Sequence, residues 1–281
     1  MTTTRFWAVD KLILGYFACA AVLLVGWWDG VPGAAVWLAW HIVGAAVLVY
    51  EVKRPNRTSW AFRHWYPLPY VASCYREMGF LVPAVRHSDA DGWLAALDFR
   101  IWGANPTVWL ERFQRPLVVE FLQWAYTLFI PAVLLVAYLL WRKGLHSEFR
   151  YYAFLIALGF LASYAGYLMV PARGPRFLLR SLQHMPLQGL WLFNGMQATL
   201  DRLELANFDC FPSGHTELTI LAWWSSRMVS KRVFQAYSAY TPFLIFATVY
   251  LRYHYTVDVL AGAVLAFVLI AASPALFRKL S

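Results

Sequence analysis

Pro212, Ser213, Gly214 and His215 stand in one run, and 39 residues after His215 come His254 and, four positions on, Asp258. Two histidines and a carboxylate brought to one membrane surface are the parts needed to pass a phosphoryl group through a phosphohistidine. A spacing of four puts His254 and Asp258 on one helical face. Asp258 is then placed to accept from Nδ1–H of His254 and leave Nε2 as the nucleophile. Pro212 suits the first turn of a helix over Gly214–Met228, and Gly214 lets the backbone approach a ligand closely. A phosphate lodges well at such an N-terminus, where unpaired N–H groups and the dipole favour an anion. Ser213 and Gly214 are therefore candidate phosphate contacts.

Arg173, Gly174, Pro175 and Arg176 place two guanidiniums beside an apolar stretch, and Arg252 lies two residues before His254. Planar donors suit phosphate oxygens and the charge of a phosphoryl-transfer transition state. Gly174-Pro175 aims Arg176, which makes it the first choice; the bland alternative is Arg snorkelling to the headgroups. Two His and one Asp also match a zinc or iron site. The neighbouring arginines would repel a cation, so no metal is expected. Asp209 and Glu217 flank the Pro-Ser-Gly-His run, where they either bind an acceptor hydroxyl or are merely solvated or hydrogen-bonded. His41 and Glu120 lie in or beside apolar spans and are expected to make interhelical hydrogen bonds.

These residues need a membrane scaffold. Hydrophobic residues make up 60% of the chain and charged ones 14%, and the mean hydropathy is +0.50. That excludes an ordinary soluble domain and indicates an all-α polytopic membrane protein. The net charge of +9 resides in short loops between apolar spans, so it orients the chain in the membrane and does not point to nucleic acid. Cys19, Cys74 and Cys210 show neither pairing nor ligand spacing. Cys210, five residues before His215, is the natural thiol reporter of the side on which the site lies. The N-terminus reads as an uncleaved first helix.

Spans are expected over Leu12–Trp28, Val31–Tyr50, Leu117–Trp141, Tyr151–Val170, Gly214–Met228, Phe234–Leu251 and Val257–Phe277. Basic clusters near Lys53, Arg142, Lys231 and Arg278 belong in the cytoplasm by the positive-inside rule. Something between Trp60 and Arg115 must then cross. The best candidate is Trp65–Val85, despite Pro67, Pro69, Arg76 and Glu77; the alternative is a re-entrant or interfacial segment. Eight crossings are expected, seven being the alternative, with both termini inside. Asp89–Arg115 reads as a surface-lying amphipathic segment. One domain over residues 1–281 follows. Arg173, Arg176, His215, Arg252, His254 and Asp258 would then gather at the external face of the plasma (inner) membrane, toward the periplasm or a lumen.

With those residues in view, the chain resembles the type 2 phosphatidic acid phosphatase superfamily. That pattern has three parts: Lys, six residues, Arg-Pro; then Pro-Ser-Gly-His; then Ser-Arg, five residues, His, three residues, Asp. The second part is complete at Pro212–His215. The third is present in His254 and Asp258, but its Arg falls at Thr248. The first is degenerate, with Arg173-Gly-Pro-Arg176 in its place. The resemblance covers residues 151–276, the expected catalytic core. The run Arg252-Tyr-His254-Tyr-Thr-Val-Asp258 is also similar to sphingomyelin synthases, to which fungal inositol phosphorylceramide synthases are related.

The resemblance implies His254 as nucleophile, Asp258 as its orienting partner and His215 as general acid to the leaving alcohol. The phosphate would be held by Arg176 or Arg173 and by Arg252, without cofactor or metal. It implies a lipid phosphate or phospholipid substrate and, first, a lipid headgroup phosphotransferase. A lipid phosphate or isoprenyl diphosphate phosphatase is the alternative, and a non-catalytic lipid transporter the third reading.

Overall fold

The computed structural model describes residues 5–54, 56–203 and 208–281. Among them the regular elements are helices, with an isolated parallel bridge between Ala172 and Asp209. The helices are α1 (Ala8–Gly26), α2 (Ala34–Lys53), α3 (Arg57–Trp65), α4 (Pro67–Val85), α5 (Asp91–Trp102), α6 (Pro106–Trp109), α7 (Pro116–Thr127), α8 (Phe129–Arg142), α9 (His146–Met169), α10 (Pro175–Leu178), α11 (Phe193–Leu203), α12 (Gly214–Ser226), α13 (Lys231–Tyr250) and α14 (Thr256–Leu280). Pro67, Pro106, Pro116 and Pro175 each open a helix, where the missing N–H has no intrahelical partner to lose.

The axis of the bundle is α9, 24 residues long and so about 36 Å from end to end. It packs on α1, α4, α8, α12 and α14. Small residues let α12 press against it. A Cβ on Gly159 would lie 2.8 Å from Leu221, and one on Gly166 would lie 2.2 Å from Pro212. Gly262 does the same for α14, where an added Cβ would meet the Ser213 carbonyl oxygen at 2.5 Å. These close approaches bring the two histidine-bearing helix starts against each other.

Helices α1, α2, α9 and α14 are long and apolar enough to cross a bilayer, and the α7–α8 pair is a fifth candidate, bent by 44°. The expected single span Leu117–Trp141 is thus two helices. The reason is Pro131, which cannot donate to the Thr127 carbonyl and whose ring crowds it. Helix α12 has 13 residues, about 20 Å, short of a hydrocarbon core of about 30 Å. Among the described residues, length and composition support four to five crossings, against the eight expected.

Of the segment Trp65–Val85, Pro67–Val85 forms α4 while Trp65 ends α3, and Arg76 and Glu77 part company. Arg76 is exposed and Glu77 fully buried. Glu77 accepts from Tyr16 at 2.7 Å and pairs with His41 Nε2 at 2.8 Å, while Tyr70 reaches His41 Nδ1 at 2.9 Å. His41 thus makes the interhelical bonds expected of it. Near the start of α1, buried Asp10 holds Arg63 at 2.7 Å and Tyr66 at 2.8 Å. Helices α1 to α4 are tied together side chain to side chain.

The amphipathic segment is helical over α5, with a polarity opposite to that of a soluble protein. Trp93, Phe99, Ile101 and Trp102 point outward, while Asp91 and Asp98 are buried. Those two acids are seven residues apart and share one face.

Candidate active site

The turn before α12 places His215. Ser213 is the N-cap: its hydroxyl accepts from Thr216 N at 3.3 Å, and its own N–H donates to the Asp258 carbonyl at 3.1 Å. The Ser213 hydroxyl oxygen thus caps α12 as an acceptor while its O–H remains a donor, and Pro212 precedes the cap. The place of Pro212 is a correction to the sequence reading, which puts it in the first turn. The donors left by the helix geometry are the N–H groups of Gly214 and His215. A Cβ on Gly214 would come within 2.7 Å of the Tyr167 hydroxyl, so this start admits no larger residue.

The turn before α14 places His254. The backbone N–H groups of Tyr253 and His254 both donate to the Thr248 carbonyl, at 2.9 and 3.0 Å, and Arg252 takes a left-handed conformation at φ 66°. Thr248, which stands where the superfamily pattern has Arg, is fully buried at the end of α13. Threonine carries no cation, so any guanidinium at the site must come from elsewhere.

The two histidine rings lie 5.7 Å apart between centroids. His254 Nδ1 is 2.9 Å from the Cys210 carbonyl oxygen, and Asp258 Oδ2 is 3.6 Å away. A carbonyl only accepts, so Nδ1 carries the proton and the lone pair sits on Nε2. The tautomer is the one expected, but the atom that fixes it is the Cys210 carbonyl, with Asp258 as a nearby charge instead of the direct acceptor. Asp258 Oδ2 accepts from Cys210 Sγ at 2.7 Å and from Tyr255 N at 2.9 Å, and Oδ1 is buried without a hydrogen-bond partner. Cys210 is itself buried, and burial beside Asp258 pushes its thiol well above the ordinary range. It cannot serve as an exposed reporter.

His215 lies between the rings of Tyr126, 4.4 Å away, and Phe129, 4.6 Å away. Tyr126 stacks in turn on Tyr253 at 4.2 Å, and the Arg176 guanidinium lies over Tyr253 at 5.1 Å. The column links Arg176 to the histidine pair. Beside it, a cavity of about 290 Å³ is lined by His215, Gly214, Asp209 and Tyr75 among apolar walls. At its rim are Ala72 of α4 and Ile130 of α8, both exposed on the outside of the bundle.

The three arginines separate. Arg176 joins the histidine pair. Arg173 is exposed, over the Phe177 ring at 4.7 Å. Arg252 is buried away from the pair, bonded to Glu111 at 3.0 Å, the Met185 carbonyl at 2.5 Å and Gln183 at 3.3 Å. Arg252, expected to hold phosphate, here ties the loop after α10 to Glu111 in the Leu110–Phe113 turn.

Four acids ahead of the motifs hold the turns in place. Asp91 accepts from Arg173 N and Gly174 N, both at 2.7 Å, and from the Tyr255 hydroxyl at 2.9 Å. Burial raises its carboxyl above the usual range in spite of those donors. Asp98 caps α14 through Thr256 N and Val257 N, both at 2.9 Å, and Thr256 Oγ1 at 2.7 Å. Glu111 accepts from His184 N at 3.1 Å. Glu120 accepts four successive N–H groups, from Leu190 to Phe193, at 3.0–3.3 Å; it was expected to bond between helices and instead grips a loop. Sequence reasoning missed Asp91 and Asp98, although two acids on one face of an otherwise apolar helix are a readable signal of buried caps.

Cys210, His254 and Asp258 bring three potential metal-ligating atoms within 4.8 Å of one another. The grouping differs from the one considered on sequence, since His215 is outside it. Cys210 Sγ, His254 Nδ1 and Asp258 Oδ2 are engaged with one another and with the Cys210 carbonyl, while Asp258 Oδ1 has no hydrogen-bond partner.

No curated protein and no solved structure matches this chain. A family model described as PAP2 superfamily matches residues 92–272, from the second residue of α5 into α14. The match takes in Asp98, Glu111 and Glu120 together with both histidine turns, and covers well over half of the sequence. On that extent, the chain belongs to the PAP2 superfamily.

Proposed function

We propose that this protein transfers a phosphoryl group, or a phosphorylated headgroup, from a membrane lipid through a covalent intermediate on His254 Nε2. The observation that carries the reading is the pairing of His254, its lone pair directed to Nε2 by the Cys210 carbonyl, with His215 at 5.7 Å on the wall of a cavity. Members of the superfamily are usually phosphatases or phosphotransferases. Nε2 attacks phosphorus, His215 protonates the departing alkoxide, and Arg176 with the Gly214 and His215 N–H groups balances the charge on the phosphoryl oxygens. Asp258, a buried carboxylate 3.6 Å from Nδ1, stabilises the cationic ring of the intermediate.

For the second step, transfer to a lipid alcohol is the leading reading on the similarity of the Arg252–Asp258 run to sphingomyelin synthases. The apolar walls of the cavity beside His215 suit an acyl or isoprenyl chain under either reading. Hydrolysis is the second. It is favoured by the engagement of Arg252 with Glu111, which removes the residue that pointed to transfer in the sequence. Product analysis separates them. The purified protein, given a panel of lipid phosphates and phospholipids with diacylglycerol, ceramide or inositol, should yield a new phosphodiester lipid. Free phosphate alone establishes the phosphatase, and no product from any member with His254 intact overturns both.

We further propose eight crossings of the plasma (inner) membrane, with the site on the outer side. In a variant lacking Cys19, Cys74 and Cys210, a cysteine at Trp191, 83% exposed, should react with an impermeant maleimide in intact cells. One at Gly144 should react only after permeabilisation. The reverse order would place the site in the cytoplasm.

A further inference from the structure

In the mechanism above His215, once it has protonated the leaving group, is one base open to the acceptor. Asp209 is a second group positioned for it. It pairs with Ala172 in the isolated bridge, fixed by Cys210 N donating to the Ala172 carbonyl at 3.1 Å, so its backbone is held independently of the helices. Its carboxylate accepts from the Tyr75 hydroxyl on α4 and lines the same cavity as His215 and Gly214. The charges of His254 and Arg176 act on it. Burial raises its carboxyl above the ordinary range, with the Tyr75 hydrogen bond opposing the shift, and a raised carboxyl is a better proton acceptor. Glu217, the other acid flanking the motif, is fully buried under α9 and bonded to Ser163, and does not line the cavity.

Resting on the phosphohistidine reading, we propose that Asp209 is the general base of the second half-reaction and that Tyr75 orients it toward the acceptor hydroxyl. The hydroxyl oxygen, of water or of a lipid alcohol, attacks phosphorus. As the new P–O bond forms, the P–N bond to His254 breaks and its electron pair returns to Nε2. The hydroxyl proton passes to an Asp209 carboxylate oxygen and from there to solvent, and His215 regains a proton from solvent before the next cycle. The first half-reaction does not use Asp209. His215 serves the leaving group in the first step, and a separate carboxylate serves the acceptor in the second.

The discriminating experiment is rapid quench of the detergent-solubilised full chain with a radiolabelled short-chain phosphatidic acid, comparing wild type with Asp209→Asn. The variant should release its first product in a burst of one equivalent per site at the wild-type rate. Turnover should then fall by about 10²–10⁴-fold, while acid-labile, alkali-stable phosphate accumulates on the protein. Water and added alcohol as acceptors should be affected alike. Tyr75→Phe keeps the carboxylate and should show the same accumulation with a smaller fall, which tests the proposal if Asp209→Asn does not fold. Unchanged turnover, or equal slowing of both half-reactions without accumulation, would overturn the role of Asp209. Loss of acid-labile phosphate from the wild type itself would instead overturn the phosphohistidine reading on which it rests.

Discussion

Two sets of buried acids divide the molecule. In α1 to α4, Asp10 and Glu77 bond mainly to side chains: Arg63 and Tyr66, beside the Trp7 N–H that Asp10 caps, in one case, and His41 and Tyr16 in the other. In α5 to α7 and the turn between them, Asp91, Asp98, Glu111 and Glu120 face backbone N–H groups of the loops around the histidines. The first arrangement fixes one helix against another through groups that retain some rotamer freedom. The second fixes chain segments that have no ladder of their own, and so sets where Arg176, His254 and α14 begin. A buried charge next to backbone donors is satisfied with little side-chain entropy on the partner side. The difference separates what holds the bundle together from what holds the reacting groups in register.

The largest expected effect lies outside both sets. His254→Ala should lower kcat by at least about 10⁴-fold in a folded protein, and activity surviving in that variant eliminates the covalent mechanism. Asp258→Asn should cost less, about 10- to 100-fold, because the Cys210 carbonyl still fixes the tautomer. A loss as deep as that of His254→Ala would show that the carbonyl bond does not.

The comparison itself is tested next. Asp98→Ala removes three hydrogen bonds at the start of α14 and should lower kcat about 10²-fold through misplacement of His254. Its effect on stability should be only about 1–2 kcal/mol. Glu77→Gln should do the opposite: lower thermal stability in detergent by about 1–3 kcal/mol and leave turnover of the folded fraction unchanged. If both variants lose stability and activity in the same proportion, the division between scaffold acids and site acids is wrong. The smallest effect is expected from EDTA. Since His254 Nδ1 carries a proton toward the Cys210 carbonyl and so offers no lone pair to an ion there, chelation should leave the rate unaltered, and recovery of lost activity by zinc would reinstate a metal site.

Much of this was legible in the sequence. The starts of α12 and α14 follow from Pro-Ser-Gly-His and from the His254/Asp258 spacing, and their meeting follows from apolar spans between basic loops. The individual arginines were not legible. Arg173, Arg176 and Arg252 are equivalent as residue types, and only the placement of Glu111, 141 positions from Arg252, and of Tyr253 separates them. The same holds for Asp98, which caps a helix 158 positions away: short-range patterns carry no information about such partners. The bend at Leu128 was readable from Pro131, but apolar runs alone reported one span. Burial of Cys210 depends on the bridge to Ala172, which no local periodicity announces.

The central claim is that His254 becomes phosphorylated. The most direct measurement is mass-spectrometric localisation of phosphate on wild-type protein quenched in alkali during turnover of a short-chain phosphatidic acid. The account predicts one phosphate per chain on His254, at Nε2, absent from His254→Ala and present in Asp98→Ala at reduced rate of formation. Phosphate on His215 or on any other side chain, or turnover with His254 unmodified throughout a rapid-quench time course, would contradict it.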